Sequence, residues 1–263
     1  MTTVNDIFEY LNSIAPVSTQ EGFDNSGFII GNPEGLVDKV ILALDATSEV
    51  IDEAEVCNAQ LIVTHHPVIF NAFKKVFPSD PAGKKIYSLC RNNISVISMH
   101  TNLDKAAGGV NDVLIRALGV SEVDPADGDS PFMRTGSLNE PMELADYLAF
   151  CSTALNANGL RYHDAGKMVH KIACIGGAGD FGIADAFAKG CDTFITGDIK
   201  HHVFLAAAEY GINLIDAGHF CTENPVMSYL KEILSAEFAS VDFETAHTNV
   251  QITKYYMQGH NNG

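Results

Sequence analysis

The chain has 263 residues, with 33 Asp and Glu against 16 Lys and Arg, a formal net charge of −17. Apolar residues make up 46% and charged residues 19%, an ordinary globular composition that excludes a disordered acidic tail and supplies enough chain for a real core. The acidic excess excludes an electrostatic grip on nucleic acid or an anionic membrane, which needs clustered Lys and Arg, but a small anionic substrate stays open because bound metal can reverse the field locally.

Taken in chain order, the opening MTTVNDIFEY has no cationic stretch leading into an apolar one, so no signal peptide is expected. No apolar run reaches transmembrane length. A β-rich segment begins at VILAL (40–44), followed by a small or polar loop, an Ile-led amphipathic helix and the strand LIVT, ending at Thr64. A further helix and the strand ISVIS lead to HTNLD (100–104) and the helical GGVNDVLIRAL. After the turn-rich SEVDPADGDSPF (121–132) a helix is expected at PMELADYLAFCSTAL.

The order then repeats. Residues 40–66 can be laid without gaps on 172–198, where TFIT ends at Thr196, and the second copy continues through INLID to GHFCTE and the Pro225-led helix NPVMSYLKEILS. His100 and Asp104 are four apart, and so are His219 and Glu223. Alternating strands and helices predict an α/β fold of two related lobes, with sheets flanked by helices and an internal duplication behind them. The first lobe is expected over 1–125 plus 217–263 and the second over 126–216. Strands around SVDFE and NVQITKYYM are expected to return to a sheet, and HNNG to fray.

Six of the ten histidines (His65, His66, His100, His201, His202, His219) fall at predicted strand ends or in the loops after them, where open α/β sheets bind ligands. Adjacent strand residues point to opposite faces, so His65 and His66 suit two neighbouring ions rather than one, provided that the strand breaks up before Pro67. With Asp104, His219 and Glu223 they compose a mixed nitrogen and oxygen donor set for two borderline divalent metals. By symmetry His100 is either a sixth ligand or a second-sphere or substrate-facing group. Lys200 and His202 are candidates for substrate phosphate contact or proton transfer. The six scattered cysteines lack any CxxC pair and read as mostly buried, reduced thiols of a cytoplasmic protein, with Cys221 a buried bystander to the donor set.

Gly177-Ala178-Gly179-Asp180-Phe181-Gly182 matches the dinucleotide fingerprint G-x-G-x-x-G. The first copy carries DATSE where these glycines fall, and Asp198 sits beside histidines, so a tight turn bringing backbone close to a site is the simpler reading. No P-loop, GxSxG elbow or basic nucleic-acid patch is present.

Together GFDNSGFIIG (22–31), LIVTHHPVIF (61–70), HTNLDKAAGGVND (100–112), TGDIKHH (196–202) and GHFCTE (218–223) resemble the NGG-one-interacting-factor-three-like family, whose bacterial members are commonly named GTP cyclohydrolase 1 type 2 homologs. The resemblance is to the short form, without an inserted domain. It implies a dinuclear metal site in the cleft between two lobes and a toroidal homohexamer. His66 and Asp104 would hold one ion, His65 and His219 the other, with Glu223 bridging; His100 would then leave the inner shell, and His202 would occupy the family's His position.

The expected function is metal-dependent hydrolysis by metal-activated water, with zinc, iron or manganese as the two divalent cations per subunit and a small-molecule substrate such as a nucleotide. His100 or His202 would carry the proton, and Lys200 and Lys105 would meet the anion. The alternative is a non-catalytic scaffold that binds or delivers metal.

Overall fold

The computed structural model describes residues 1–124 and 128–256. Two compact units divide the chain: Met1–Val113 with Asn224–Asn249, and Leu114–Glu223 with the tail from Val250. The boundary expected after residue 125 and the tail HNNG lie outside the described residues.

The first unit carries α1 (Val4–Ile14), β1 (Gly27–Ile30), β2 (Lys39–Ala43), α2 (Ser48–Val56), β3 (Leu61–Thr64), α3 (Pro81–Arg91), β4 (Ser95–Ser98), α4 (Thr101–Lys105) and the start of α5 (Val110–Ala117). The second carries the rest of α5, then β5 (Arg134–Met142), α6 (Leu144–Ala154), β6 (Arg161–His163), β7 (Val169–Cys174), α7 (Ile183–Ala188), β8 (Thr193–Thr196), α8 (His201–Tyr210), β9 (Asn213–Asp216) and α9 (His219–Glu223). The chain then returns to the first unit as α10 (Pro225–Glu237) and β10 (Asp242–Thr245).

Local chemistry explains the helix starts. Thr3 closes a capping box with Asp6 at α1, Thr47 accepts from the Val50 N–H at α2, and Asp80 caps α3 ahead of Pro81. Pro225 opens α10 where its missing N–H costs nothing.

The first unit's sheet runs β1-β4-β3-β2-β10 and the second's β5-β7-β8-β9-β6. Both contain the same parallel trio, β2-β3-β4 in one and β7-β8-β9 in the other. Both end in an antiparallel strand beside the trio's last member, β1 on β4 and β6 on β9. Outside the trio's first strand the units differ: β10 pairs parallel with β2, whereas β5 pairs antiparallel with β7. The α/β class and the two related units agree with the sequence reading.

The central strands β3, β4, β8 and β9 are buried at every residue, as parallel strands covered on both faces must be. The twofold strand period sorts the second unit's core. Ile172, Cys174, Ile195 and Ile215 pack with α6 through Tyr147 and Cys151, while Ala173, Phe194 and Leu214 pack with α7 and α8 through Ala186, Val203 and Ala207. In the first unit Ile41, Ile62 and Val96 meet α2 and α3 through Val50, Ile51, Ile86 and Leu89.

SVDFE forms β10 as expected, but the described part of NVQITKYYM, residues 249–256, is not a strand. Its β-rich composition has no ladder to join. It is tied instead by side chains, with Asn158 Nδ2 donating to the Thr253 carbonyl and the Cys221 thiol to Gln251 Oε1. Among the described residues, no helix is long and apolar enough to cross a membrane.

Candidate metal centre

The first unit gathers three imidazoles beyond the ends of β3 and β4. β3 stops at Thr64, so His65 and His66 escape strand alternation and their ring centroids lie 4.9 Å apart. The buried Thr64 hydroxyl makes that turn by donating to the His66 carbonyl at 2.8 Å, while lying 2.8 Å from the Ser98 hydroxyl. His100, preceding α4, brings its ring to 5.1 Å from that of His65 and 5.4 Å from that of His66. One donor atom from each of the three lies within 4.8 Å of the others, which suits a metal ion.

Each of these rings is held at Nδ1. His65, fully buried, donates to the Met99 carbonyl at 2.8 Å; His66 meets Asp45 Oδ1 at 2.8 Å; His100 meets Asp24 Oδ1 at 2.7 Å. A carbonyl or carboxylate partner fixes Nδ1 as the protonated nitrogen and Nε2 as the lone-pair donor. His65 Nε2 lies 3.6 Å from Oδ1 of Asp104, itself buried in α4. Two lone pairs facing each other in a dry interior require a proton or a cation between them. The donor set therefore fits a divalent ion.

Asp24 is the anchor of this half. Its Oδ2 accepts from the Thr101 N–H at 3.0 Å, the Thr101 hydroxyl at 2.5 Å and the Ser26 hydroxyl at 3.0 Å. Burial by itself raises its carboxyl pKa. Hydrogen bonds from His100 and Thr101, the His100 charge and the Asn25 N–H together outweigh burial and hold the group well below the usual carboxylate range. Phe70 stands edge-on beside His100, with ring centroids 6.2 Å apart.

The second unit supplies His219 and Glu223 at the two ends of α9, where an i, i+4 spacing puts both on one face. His219 Nδ1 lies 2.8 Å from Asp198 Oδ2, and Nε2 3.1 Å from Oε2 of the buried Glu223. Asp198 reaches His219 from a left-handed backbone, φ 51°. It follows Gly197, where a β-carbon would stand 2.7 Å from the His219 backbone nitrogen. Cys221 lies between the two on α9 and turns its thiol to Gln251, with its pKa raised by burial.

The G-x-G-x-x-G segment is explained by packing. Gly177, at φ 61°, donates to Thr222 Oγ1 at 2.9 Å and presents backbone to Glu223, whose Oε1 would overlap any β-carbon there. At Gly179 and Gly182 a β-carbon would stand 2.5 Å from Ile175. Thr196, the repeat counterpart of Thr64, clamps the loop by accepting from the Gly179 N–H and donating to the Gly177 carbonyl.

The remaining candidates make contacts of their own. Lys105 donates to the Thr19 carbonyl at 2.9 Å and pairs with Glu21 at 2.6 Å. Lys200 lies 3.4 Å from Asp180 Oδ2, and His201 and His202 sit exposed on the first turn of α8. Sequence reasoning missed Asp24 and Asp45 as site residues and noted Asp198 as a residue beside histidines, without a site role. The available signal was a carboxylate in the loop after a strand or helix, too common to single out without distances.

The Duf34/NIF3 (NGG1p interacting factor 3) family pattern matches residues 2–254. The chain belongs to this family. Among Duf34/NIF3 relatives, a Clostridium perfringens protein named GTP cyclohydrolase 1 type 2 homolog is 37% identical over 87% of this chain and 90% of its own. A Helicobacter pylori protein named GTP cyclohydrolase 1 type 2 is 32% identical over 96% and 100%. A Staphylococcus aureus crystal structure superimposes with a TM-score of 0.90 at 28% identity, covering 97% of this chain and 99% of that one. A Bacillus cereus structure described as related to NIF3 shares the fold at a TM-score of 0.87 and 23% identity, over 97% and 99%.

Proposed function

We propose that this Duf34/NIF3 protein holds two divalent cations through His65, His66, Asp104, His219 and Glu223 and hydrolyses a small anionic substrate, as the names of its relatives suggest. The observation that carries the reading is His65 Nε2 facing Asp104 Oδ1 at 3.6 Å in a buried setting while Nδ1 is committed to Met99. Nitrogen and carboxylate donors in this combination suit zinc, iron or manganese. Divalent ions bound there supply Lewis acidity, which lowers the pKa of a water and polarises a substrate oxygen.

The chain's own residues do the rest. His100, with Nδ1 held by Asp24, presents Nε2 to move a proton to or from the leaving atom, with His202 as the alternative carrier. Lys200 meets the anionic part of the substrate. Lys105 is less suited, because Glu21 and Thr19 already engage its ammonium. Assembly into a toroidal homohexamer and action in the cytoplasm belong to the same proposal, the first tested by a sizing measurement.

The test is element analysis of the purified protein, followed by a nucleotide and phosphoester screen with the metals found. Glu223→Gln should lose both metal and turnover. Full turnover by a metal-free Glu223→Gln protein would sink the reading. The net charge of −17 also favours a non-catalytic scaffold that attracts and delivers cations. Fast metal exchange without turnover would support that second reading.

A further inference from the structure

His66, His100 and His219 share one arrangement: each presents Nδ1 to an aspartate oxygen, at 2.8 Å from Asp45, 2.7 Å from Asp24 and 2.8 Å from Asp198. The aspartates come from separate segments. Asp24 lies between α1 and β1, Asp45 between β2 and α2, and Asp198 between β8 and α8. Thus three independent loops arrive at the same atom of three imidazoles.

The internal repeat makes the pattern more specific. In the gapless alignment of 40–66 on 172–198, Asp45 falls on Gly177 and His66 on Asp198. Copy one therefore has a carboxylate after its first trio strand and an imidazole after its second. Copy two has glycine in the first place, where Glu223 comes close, and the carboxylate in the second. The position that carries an imidazole in one copy carries an imidazole's partner in the other. The histidine of each H-x3-D/E motif nevertheless finds an aspartate, Asp24 for His100 and Asp198 for His219. Asp198 does so from a left-handed backbone, a conformation that costs a non-glycine residue free energy and that a loop without a task would relieve.

We propose that Asp24, Asp45 and Asp198 are positioning residues that hold the Nδ1 protons of His100, His66 and His219, so that each imidazole offers Nε2, correctly turned, to a divalent ion or to substrate. A carboxylate behind a ligating imidazole fixes its tautomer and orientation and raises its basicity, and losing such a partner typically weakens metal binding about 10–100-fold. His65 is the exception, because the Met99 carbonyl performs the task from the main chain.

The inference rests on the proposed ion site, and the experiment separates the two. The full chain is labelled with ¹⁵N histidine and examined without metal by long-range proton–nitrogen NMR, which reads the tautomer of each ring directly. Wild type should show His66 and His100 protonated at Nδ1; His219, whose Nε2 also meets Glu223 Oε2 at 3.1 Å, is read by zinc affinity instead. Asp45→Ala and Asp198→Ala remove half-exposed carboxylates whose loss a folded chain tolerates, and Asp45→Ala should shift His66 toward the Nε2-protonated form. The same variants should bind zinc about 10–100-fold more weakly in competition with a chelator. Asp198→Asn, which keeps an acceptor oxygen and tolerates the left-handed backbone, should restore most of the affinity. Asp24 is buried, so Asp24→Asn is its test, with folding checked by circular dichroism. An unchanged His66 tautomer in Asp45→Ala and unchanged zinc affinity in both alanine variants would overturn the positioning role while leaving the ion site standing. Failure of wild type to bind zinc, iron or manganese at all would overturn both.

Discussion

Gly177 and Glu223 are matched by shape: the glycine's missing side chain is the space that the glutamate's Oε1 fills, with the His219 Cε1 3.2 Å from the same point. Gly177→Ala therefore introduces a clash and also asks alanine to adopt φ 61°. We expect a loss of about 1–3 kcal/mol in stability, together with a fall in bound metal as Glu223 is displaced. Thermal unfolding and element analysis measure the two effects. A variant with wild-type melting and metal content would show that the close approach carries no constraint.

Thr64 makes the turn that presents His65 and His66. Thr64→Val keeps the shape but removes the hydroxyl that donates to the His66 carbonyl and lies against Ser98. Leaving these buried partners without it should cost about 1–3 kcal/mol, read as a lower urea midpoint, and should loosen metal binding. Thr64→Ser, which keeps the hydroxyl, should retain the turn and the metal.

Asp24 predicts an acid limb in stability. Its folded pKa lies below that of an unfolded aspartate, about 3.9. Its contribution is therefore fully present above that value and is lost as pH falls through the lower folded pKa. Asp24→Asn should be less stable than wild type at neutral pH, and the gap should narrow on acidification below about pH 4. Urea unfolding at a series of pH values measures this; a gap that stays constant down to pH 2 would contradict it.

The cysteines should divide sharply in reactivity. Burial pushes the Cys151 thiol up to about 12 and the Cys191 thiol up to about 11, whereas Cys90 is exposed. Because the thiolate is the nucleophile, iodoacetamide at pH 8 should label Cys90 rapidly, the half-buried Cys57 more slowly, and Cys151 and Cys191 only after unfolding. Mass spectrometry of the native protein decides it, and labelling of Cys151 as fast as Cys90 would show that its helix opens readily.

Elements with a strong local signal were legible from residues alone. The two strand–helix–strand repeats, the Pro225-led α10 and α6 all follow from apolar periodicity and caps. β5 escaped notice because it lies at the edge of its sheet beside β7, is exposed over much of its length and contains Gly136 and Pro141. The tail at 249–256 shows the reverse error, β-forming residues with no neighbouring strand.

The site divides along the same line. That the side chains of His219 and Glu223 come together is a local matter of one helical turn, and the sequence by itself determined it. That the rings of His65 and His66 come within 4.9 Å of each other depends on β3 ending at Thr64, a stop that Pro67 already announced. Which nitrogen of each ring is committed, and to what, only the tertiary structure decided. The partners lie far along the chain, 76 residues for Asp24 and His100 and 21 for Asp45 and His66. No periodicity links such positions; they meet because the parallel strands deliver their following loops, and the antiparallel β1 its preceding loop, to one end of a sheet.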